Sequence, residues 1–262
     1  YPGFKVIAEA LRLELAPIPT TPTGPDLDAL GRLCVDRPVR AVYTMPTLHN
    51  PLGWVMDDGA RRQLVAIARR HRLLLIEDAS YAYLAECPPP PLAATAPDVT
   101  VYVSGLSKNV ATGLRVGFVA APTVRIPALE RAIRATAWNT PALTTAIATR
   151  WIEDGTVARL EAEKRADARL RQTVAGKALK PFHPQAHPNS YFTWVPLPES
   201  ARADRIAATL ATYGVAISTA EQFAITENPP QAIRLALGST ELGTLADALT
   251  TVRRAIEDDQ YQ

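Results

Sequence analysis

The chain has 262 residues, 47% of them hydrophobic, so it can bury one sizeable core or two modest ones without disulfides or metals. Its net charge is +2 and its arginines are spread along the chain, which argues against direct nucleic-acid binding by this segment. Cys34 and Cys87 form no zinc or disulfide pattern, and the sequence shows no membrane-spanning apolar run or secretory signal, so we predict a cytoplasmic protein.

The first part of the chain alternates helical and strand patterns. Tyr1-Pro2-Gly3 is typical of a loop entering a helix, so we expect the sequence to begin within a domain. Helical spacing of apolar residues predicts one helix through Phe4 and Leu11 and another through Leu64 and Ala68. Four short apolar runs predict strands buried on both faces: Val39–Thr44, Leu73–Ile76, Val99–Val103 and Val116–Val119. This alternation predicts an α/β fold with a mostly parallel sheet.

The later part of the chain has a different pattern. Residues 127–177 are helical, with ends or kinks expected at Gly155 and Gly176. Strand and helix patterns then alternate in a smaller α+β unit that closes with a helix from about Leu242. We therefore predict three segments: part of a large domain at 1–126, a helical link at 127–177 and a small domain at 178–262. The proline run at 88–91 predicts a surface loop.

A lysine follows the third predicted strand, in Ser104-Gly105-Leu106-Ser107-Lys108-Asn109. A lysine at a strand end inside a closed site can form an imine with an aldehyde cofactor. Arg115, seven residues later, can hold a phosphate through paired N–H donors. Taken alone, the Ser-Lys pair also fits an ordinary solvated surface lysine.

Acidic residues end the second predicted strand, where Glu77 and Asp78 precede Tyr81. A carboxylate at this position can pair with a pyridinium N–H, and a tyrosine hydroxyl can donate to a phenolic oxygen. The local pattern is equally consistent with residues that only cap the next segment.

Two further polar residues stand out. Asn50 lies in the segment Met45–Gly53, where prolines restrict the loop conformation. Its amide can donate to a phenolic oxygen. The same residues are also typical of ordinary turns. Arg234 is flanked by apolar strand residues, so it is costly to bury unless it meets an anion. A substrate α-carboxylate and a structural ion pair are both suitable partners.

These four signals, in this order, resemble the fold-type I pyridoxal-phosphate enzymes of the class I/II aminotransferase family. The sequence motifs are more similar still to those of the aminotransferase-like domains of MocR-type regulators in the GntR superfamily. This resemblance covers essentially the whole chain. It implies that Lys108 forms the Schiff base with pyridoxal 5'-phosphate and that Asp78 pairs with the pyridine nitrogen. Asn50 and Tyr81 would contact the phenolic oxygen, Arg115 the phosphate, and Asn50 with Arg234 the substrate.

The resemblance also has departures. Gly105 stands where the family usually has a serine for the phosphate, and Leu52 replaces the usual threonine of Asn-Pro-Thr-Gly. The family's Gly-rich phosphate loop, its ring-stacking aromatic and any winged-helix DNA-binding domain would precede Tyr1, so the large domain is expected to be incomplete. We expect reduced cofactor affinity as a result.

The leading functional hypothesis is an aminotransferase that moves an amino group between an amino acid and a 2-oxo acid and acts as a homodimer on an amino-acid or amine substrate. The alternative is a ligand-sensing domain of a MocR/GntR-type regulator with little turnover, which would contact DNA only through an upstream winged helix. A third alternative is a decayed copy that folds without binding a ligand. The sequence alone leaves these three readings open.

Overall fold

The computed structural model describes residues 1–260, which form two compact units. The sheet unit comprises Ile18–His49 and Trp54–Lys164. The terminal unit comprises Tyr1–Pro17, Asn50–Gly53 and the described residues from Arg165 onward. The predicted division into part of a large domain at 1–126, a helical link at 127–177 and a small domain at 178–262 stays a prediction.

Helices and strands alternate through most of the described chain. The helices are α1 Pro2–Ala10, α2 Leu27–Asp36, α3 Asp58–His71, α4 Leu92–Thr95, α5 Ile126–Thr136, α6 Ala142–Glu153, α7 Thr156–Ala178, α8 Ala203–Thr212 and α9 Leu242–Asp259. The strands are β1 Thr20–Thr21, β2 Gly24–Pro25, β3 Ala41–Thr44, β4 Leu74–Asp78, β5 Thr100–Gly105, β6 Gly117–Ala120, β7 Phe192–Pro196, β8 Ser218–Thr219 and β9 Ala232–Ala236. Each predicted strand overlaps an observed one, whereas the β1–β2 hairpin and α2 carried no signal that we had recognised.

The main sheet of the sheet unit has the strand order β3-β4-β5-β6. The first three strands are parallel and β6 is antiparallel to β5, which confirms the predicted mostly parallel sheet. The prediction that all four runs are buried on both faces is wrong for β3 and β6, the two edge strands of the described sheet. All four residues of β6 are exposed, and Thr44 is the one buried residue of β3.

The helix α3 shows how local sequence sets the elements around this sheet. Its first turn is capped by Asp57, whose side chain accepts the N–H of Ala60, and its last turn is basic. Arg72 ends the helix in the left-handed conformation. The buried face consists of positions 61, 64, 65 and 68, the spacing expected for one side of a helix, and Arg61 is among them.

The terminal unit contains an antiparallel sheet of order β7-β9-β8. Apolar side chains of β7 and β9 pack with those of α8, α9 and the end of α7, including the fully buried Val195, Ile206 and Ile233. This confirms the predicted α+β pattern. Gly155 separates α6 from α7 with φ of 81°, as predicted, and α7 ends at Ala178, two residues after the end or kink predicted at Gly176.

No helix in the described part of the chain is both long enough and apolar enough to cross a membrane. The four-proline segment lies in a loop before α4, as predicted.

Candidate active site

The carboxyl ends of three parallel strands form the edge of the sheet unit that carries most of the predicted site. Thr44 at the end of β3 lies opposite Glu77 of β4, and Asp78 of β4 lies opposite Val103 of β5. Segments leaving these strands therefore start side by side. Ligands of open α/β sheets bind at this kind of edge.

Asp78 is the last residue of β4 and is half-buried. One carboxylate oxygen accepts the backbone N–H of Ser80 at 2.9 Å, and the other accepts the hydroxyl of Tyr43 at 2.5 Å. These two bonds fix the carboxylate orientation. Tyr43 lies on β3, so two adjacent strands define the position of one carboxylate.

Lys108 follows β5 and its exposed ammonium lies 5.9 Å from the ring centroid of Tyr81. The backbone carbonyl of Lys108 accepts the hydroxyl of Tyr83 at 2.9 Å and the ammonium of Lys164 at 3.0 Å. Two side chains distant in sequence therefore hold the lysine backbone while leaving its ammonium outside these bonds. Burial lowers the pKa of Lys164.

The first turns of α7 hold the same segment through a second contact. The buried amide of Asn109 donates to a carboxylate oxygen of Glu161 at 2.7 Å. Glu161 and Lys164 lie one helical turn apart, so one helix face anchors residues 108 and 109. The sequence analysis did not identify this contact.

Arg115 lies beside this segment, in the left-handed conformation with φ of 54° and an exposed side chain. Its neighbour Val116 accepts the N–H of Leu106 at 3.0 Å, and Gly117 then pairs with Gly105. The close pairing also explains why glycine occupies position 105. A Cβ at this position would lie 2.9 Å from the carbonyl oxygen of Val116, too close for any side chain.

The loop that carries Asn50 is closed by backbone hydrogen bonds. The N–H of His49 donates to the carbonyl of Trp54 at 2.9 Å, and the two rings stack with centroids 4.1 Å apart. Burial lowers the pKa of His49 to about 3, so its imidazole is neutral at physiological pH. The Asn50–Pro51 peptide bond is cis.

Residues 50–53 pack within the terminal unit. Leu52 packs against the cluster formed by Trp194, Ala220 and Ala232. Gly53 has φ of 75°, and a Cβ there would lie 2.7 Å from the backbone nitrogen of His187. Asn50 is 2% exposed, and its Oδ1 accepts no hydrogen bond from any described residue.

Arg234 lies in β9, the central strand of the terminal unit's sheet, opposite Trp194 and Ser218. Its guanidinium carbon is 5.8 Å from the ring centroid of Phe192 and 5.5 Å from that of Phe223. Cation–π contacts of this kind orient a guanidinium. The side chain is half-buried, a setting in which a bidentate carboxylate contact is strong.

The structure thus brings Asp78, Tyr81, Lys108 and Arg115 to one edge of the sheet unit. Asn50 and Arg234 belong to the terminal unit. The sequence analysis missed Tyr43 and Arg61. A charged residue in register with the apolar face of a predicted helix would have revealed Arg61, whereas nothing in the sequence pairs Tyr43 with Asp78.

Residues 1–250 match the model of the aminotransferase class I and II family. The chain belongs to this family. It resembles the uncharacterized HTH-type transcriptional regulator YdeF of Bacillus subtilis, at 26% identity over 98% of this chain and 56% of the regulator. It also resembles the 2-aminoadipate transaminase of Thermus thermophilus, at 24% identity over 98% of this chain and 68% of the transaminase.

Solved structures show the same fold. The crystal structure of LysN, the alpha-aminoadipate aminotransferase of Thermus thermophilus, superposes with a TM-score of 0.91 at 22% identity, covering 99% of this chain and 69% of that one. That structure is a complex with N-(5'-phosphopyridoxyl)-L-leucine. The likeness confirms the predicted fold-type I architecture. The chain spans about half the length of YdeF, the regulator it matches.

Proposed function

We propose that the chain is the core of a pyridoxal-phosphate-dependent aminotransferase that transfers an amino group between an amino acid and a 2-oxo acid. The observation that carries this proposal is the position of Lys108, whose ammonium lies 5.9 Å from the Tyr81 ring at the sheet edge where β4 ends in Asp78. A primary amine, a phenol and a carboxylate are the groups that an aldehyde-bearing pyridine ring requires. Family membership over residues 1–250 supports the same chemistry.

The chemical groups of the site residues fit those of pyridoxal phosphate. Lys108 would bind its aldehyde carbon, and Asp78, already oriented by Tyr43, would keep its pyridine nitrogen protonated. The Oδ1 of Asn50 is buried without a hydrogen bond among the described residues, so it is available to accept an N–H or O–H of a ligand. With Tyr81, Asn50 would contact the phenolic oxygen, and the exposed Arg115 would bind the phosphate.

The cofactor, when bound, supplies the electron sink for the reaction. The chain's residues supply the proton path and the charge. Lys108, once an amino acid has displaced it, would take the proton from the substrate Cα and return it, so its amine acts as general base and acid. Arg234 would bind the substrate carboxylate through two N–H donors, and Asn50 would contact the same substrate.

A second candidate function rests on the match to YdeF along 98% of this chain. In that case the chain would be the effector domain of a MocR-type regulator, binding pyridoxal phosphate and an amino compound with little turnover. The site residues would be the same, and only the rate of proton transfer would differ. Steady-state assay of amino-group transfer by the protein from its complete open reading frame separates the two functions.

We propose a homodimer, supported by large apolar side chains that are exposed around α5 and α6: Trp138 is 75% exposed and Leu143 73%. We also propose that this segment does not contact DNA itself, since its net charge is only +2. Sedimentation of the complete protein and a DNA-binding assay of this segment test the two proposals.

Borohydride reduction tests the site directly. Reduction of the complete protein with bound pyridoxal phosphate should fix the cofactor on the peptide that contains Lys108, and Lys108→Ala should abolish both the adduct and turnover. The control is Lys164→Arg, because Lys164 donates to the Lys108 carbonyl and is the nearest competing amine that the hydrogen bonds reveal. An adduct on Lys164, or one that survives Lys108→Ala, would contradict the assignment.

A further inference from the structure

Arg61 is a buried cation that the proposed chemistry does not use. It is 4% exposed and lies on the apolar face of α3 in line with Leu64, Val65 and Ala68. Burial of a charged pair contributes little to stability compared with apolar residues of similar volume. An arginine at this position therefore calls for an explanation beyond the packing of α3.

The guanidinium bonds the two stems of the loop that carries Asn50. Its Nε donates to the carbonyl of Met56 at 2.9 Å, and its Nη2 donates to the carbonyl of Pro46 at 2.9 Å and the hydroxyl of Thr47 at 2.7 Å. Met56 in turn donates its N–H to Pro46 at 2.8 Å. One side chain thus ties together the points where the loop leaves and rejoins the sheet unit.

The remaining nitrogen, Nη1, faces two other segments. It donates to the carbonyl of Pro90 at 3.2 Å and lies 3.9 Å from the carboxylate of Glu77, which is 1% exposed. Glu77 accepts the N–H of Ala93 at 3.1 Å and directly precedes Asp78 in β4. The planar guanidinium thereby connects the loop stems with the end of the strand that presents Asp78.

We propose that Arg61 is a positioning residue that fixes the loop stems at Pro46, Thr47 and Met56 relative to the end of β4 that carries Asp78. A guanidinium is suited to this task because its five N–H donors have a fixed planar geometry, whereas a lysine ammonium offers three donors on a flexible stem. The inference rests on the proposed function for its catalytic consequence. The positioning of the loop stems and the strand end depends only on hydrogen bonds within the chain.

Kinetics of the complete protein with bound cofactor test the catalytic part. Arg61→Lys should lower kcat for amino-group transfer by about 10- to 100-fold, because small misplacements of reacting groups have effects of this size. The KM for the amino donor should change much less, and the pH midpoint of the cofactor's absorbance should shift. Arg62→Lys is the matched control, since the neighbouring Arg62 is exposed, and it should leave all three quantities unchanged.

A double variant separates positioning from simple stability. Arg61→Met leaves Glu77 buried without its cation, and adding Glu77→Gln removes that charge while keeping an acceptor for Ala93. A positioning role predicts that the double variant regains thermal stability relative to Arg61→Met but does not regain kcat. Recovery of kcat in step with stability would overturn the proposal.

Hydrogen exchange provides a readout that needs no cofactor. The amides of His49 and Met56 are hydrogen-bonded across the loop, so Arg61→Lys should accelerate their exchange more than that of amides in β5. Unchanged exchange at these two amides would overturn the proposal whether or not the protein transaminates. Failure of the wild-type protein to bind pyridoxal phosphate on Lys108 would instead contradict the proposed function alone.

Discussion

Individual side chains in the candidate site are oriented by partners from other elements. Asp78 is held by Tyr43 of the adjacent strand, and the Lys108 backbone by Tyr83 and Lys164. Such supporting contacts restrict the rotamers of groups that must meet a ligand. Substituting a site residue should therefore reduce activity strongly, and substituting the residue that orients it should reduce activity less.

Asp78→Asn should retain the shape of the side chain but remove the charge that would stabilise a protonated pyridine nitrogen. We expect kcat to fall by about 100-fold or more, a magnitude typical of losing one oriented electrostatic contact. Tyr43→Phe removes the 2.5 Å hydrogen bond while keeping the carboxylate, and it should produce a smaller loss in the same direction. Steady-state kinetics and thermal melts of both variants check this order, and normal turnover by Asp78→Asn would contradict the assigned role.

Arg234→Ala should weaken the binding of amino acids more than that of amines without a carboxylate. Loss of a charge-assisted bidentate contact corresponds to about a 10- to 100-fold rise in KM for the amino acid. Arg253→Ala is the control, because Arg253 is an exposed residue of α9 paired with Glu257. Equal changes in KM for both substrate classes would remove Arg234 from substrate binding.

At the level of elements, the junction of β5 and β6 explains a departure from the family pattern. Gly105 pairs with Gly117, and the backbone of Val116 leaves no room for a Cβ at position 105. The serine that the family usually carries there is therefore incompatible with this local backbone. The phosphate contact expected from that serine has to come from other groups.

Gly105→Ser should not tighten the binding of pyridoxal phosphate, despite restoring the family's usual residue. The contact of 2.9 Å with the Val116 oxygen should instead reduce the free energy of unfolding by about 1–3 kcal/mol. Gly113→Ala is the control, since a Cβ at Gly113 meets no atom within 4 Å. Denaturant melts and cofactor titrations measure both effects, and tighter binding by Gly105→Ser would show that the junction can open.

On the scale of the whole molecule, the sheet unit has an exposed edge strand. No described strand pairs with the outer edge of β6, and Phe118 and Val119 are 43% and 46% exposed. An exposed apolar edge of this kind favours pairing with another chain. The 262-residue chain should consequently associate in a concentration-dependent manner.

Val119→Lys should reduce that association, because a charged side chain on an edge strand opposes strand pairing. Val124→Lys is the matched control, since Val124 is 85% exposed but lies outside β6. Sedimentation velocity over a range of concentrations should show a lower weight-average mass for Val119→Lys only. The same reduction in both variants would indicate a general effect of charge.

Structural features that depend on residues close together in the chain were well predicted from the sequence. Strand and helix positions followed from apolar periodicity, and the ends of β3, β4 and β5 followed from polar residues after apolar runs, because both signals act over a few residues. The family resemblance added the roles of Lys108, Asp78 and Arg234, which remain proposals.

Only the tertiary structure decided which distant side chains meet. The Tyr43–Asp78 bond, the contacts of Arg61 with Pro46 and Glu77, and the anchoring of Lys108 by Lys164 join residues 15 to 56 positions apart. The exposure of β6 was likewise invisible in its apolar sequence. Periodicity reports the preference of a residue for burial, whereas the neighbour that satisfies a charge or covers a strand is set by the folded chain.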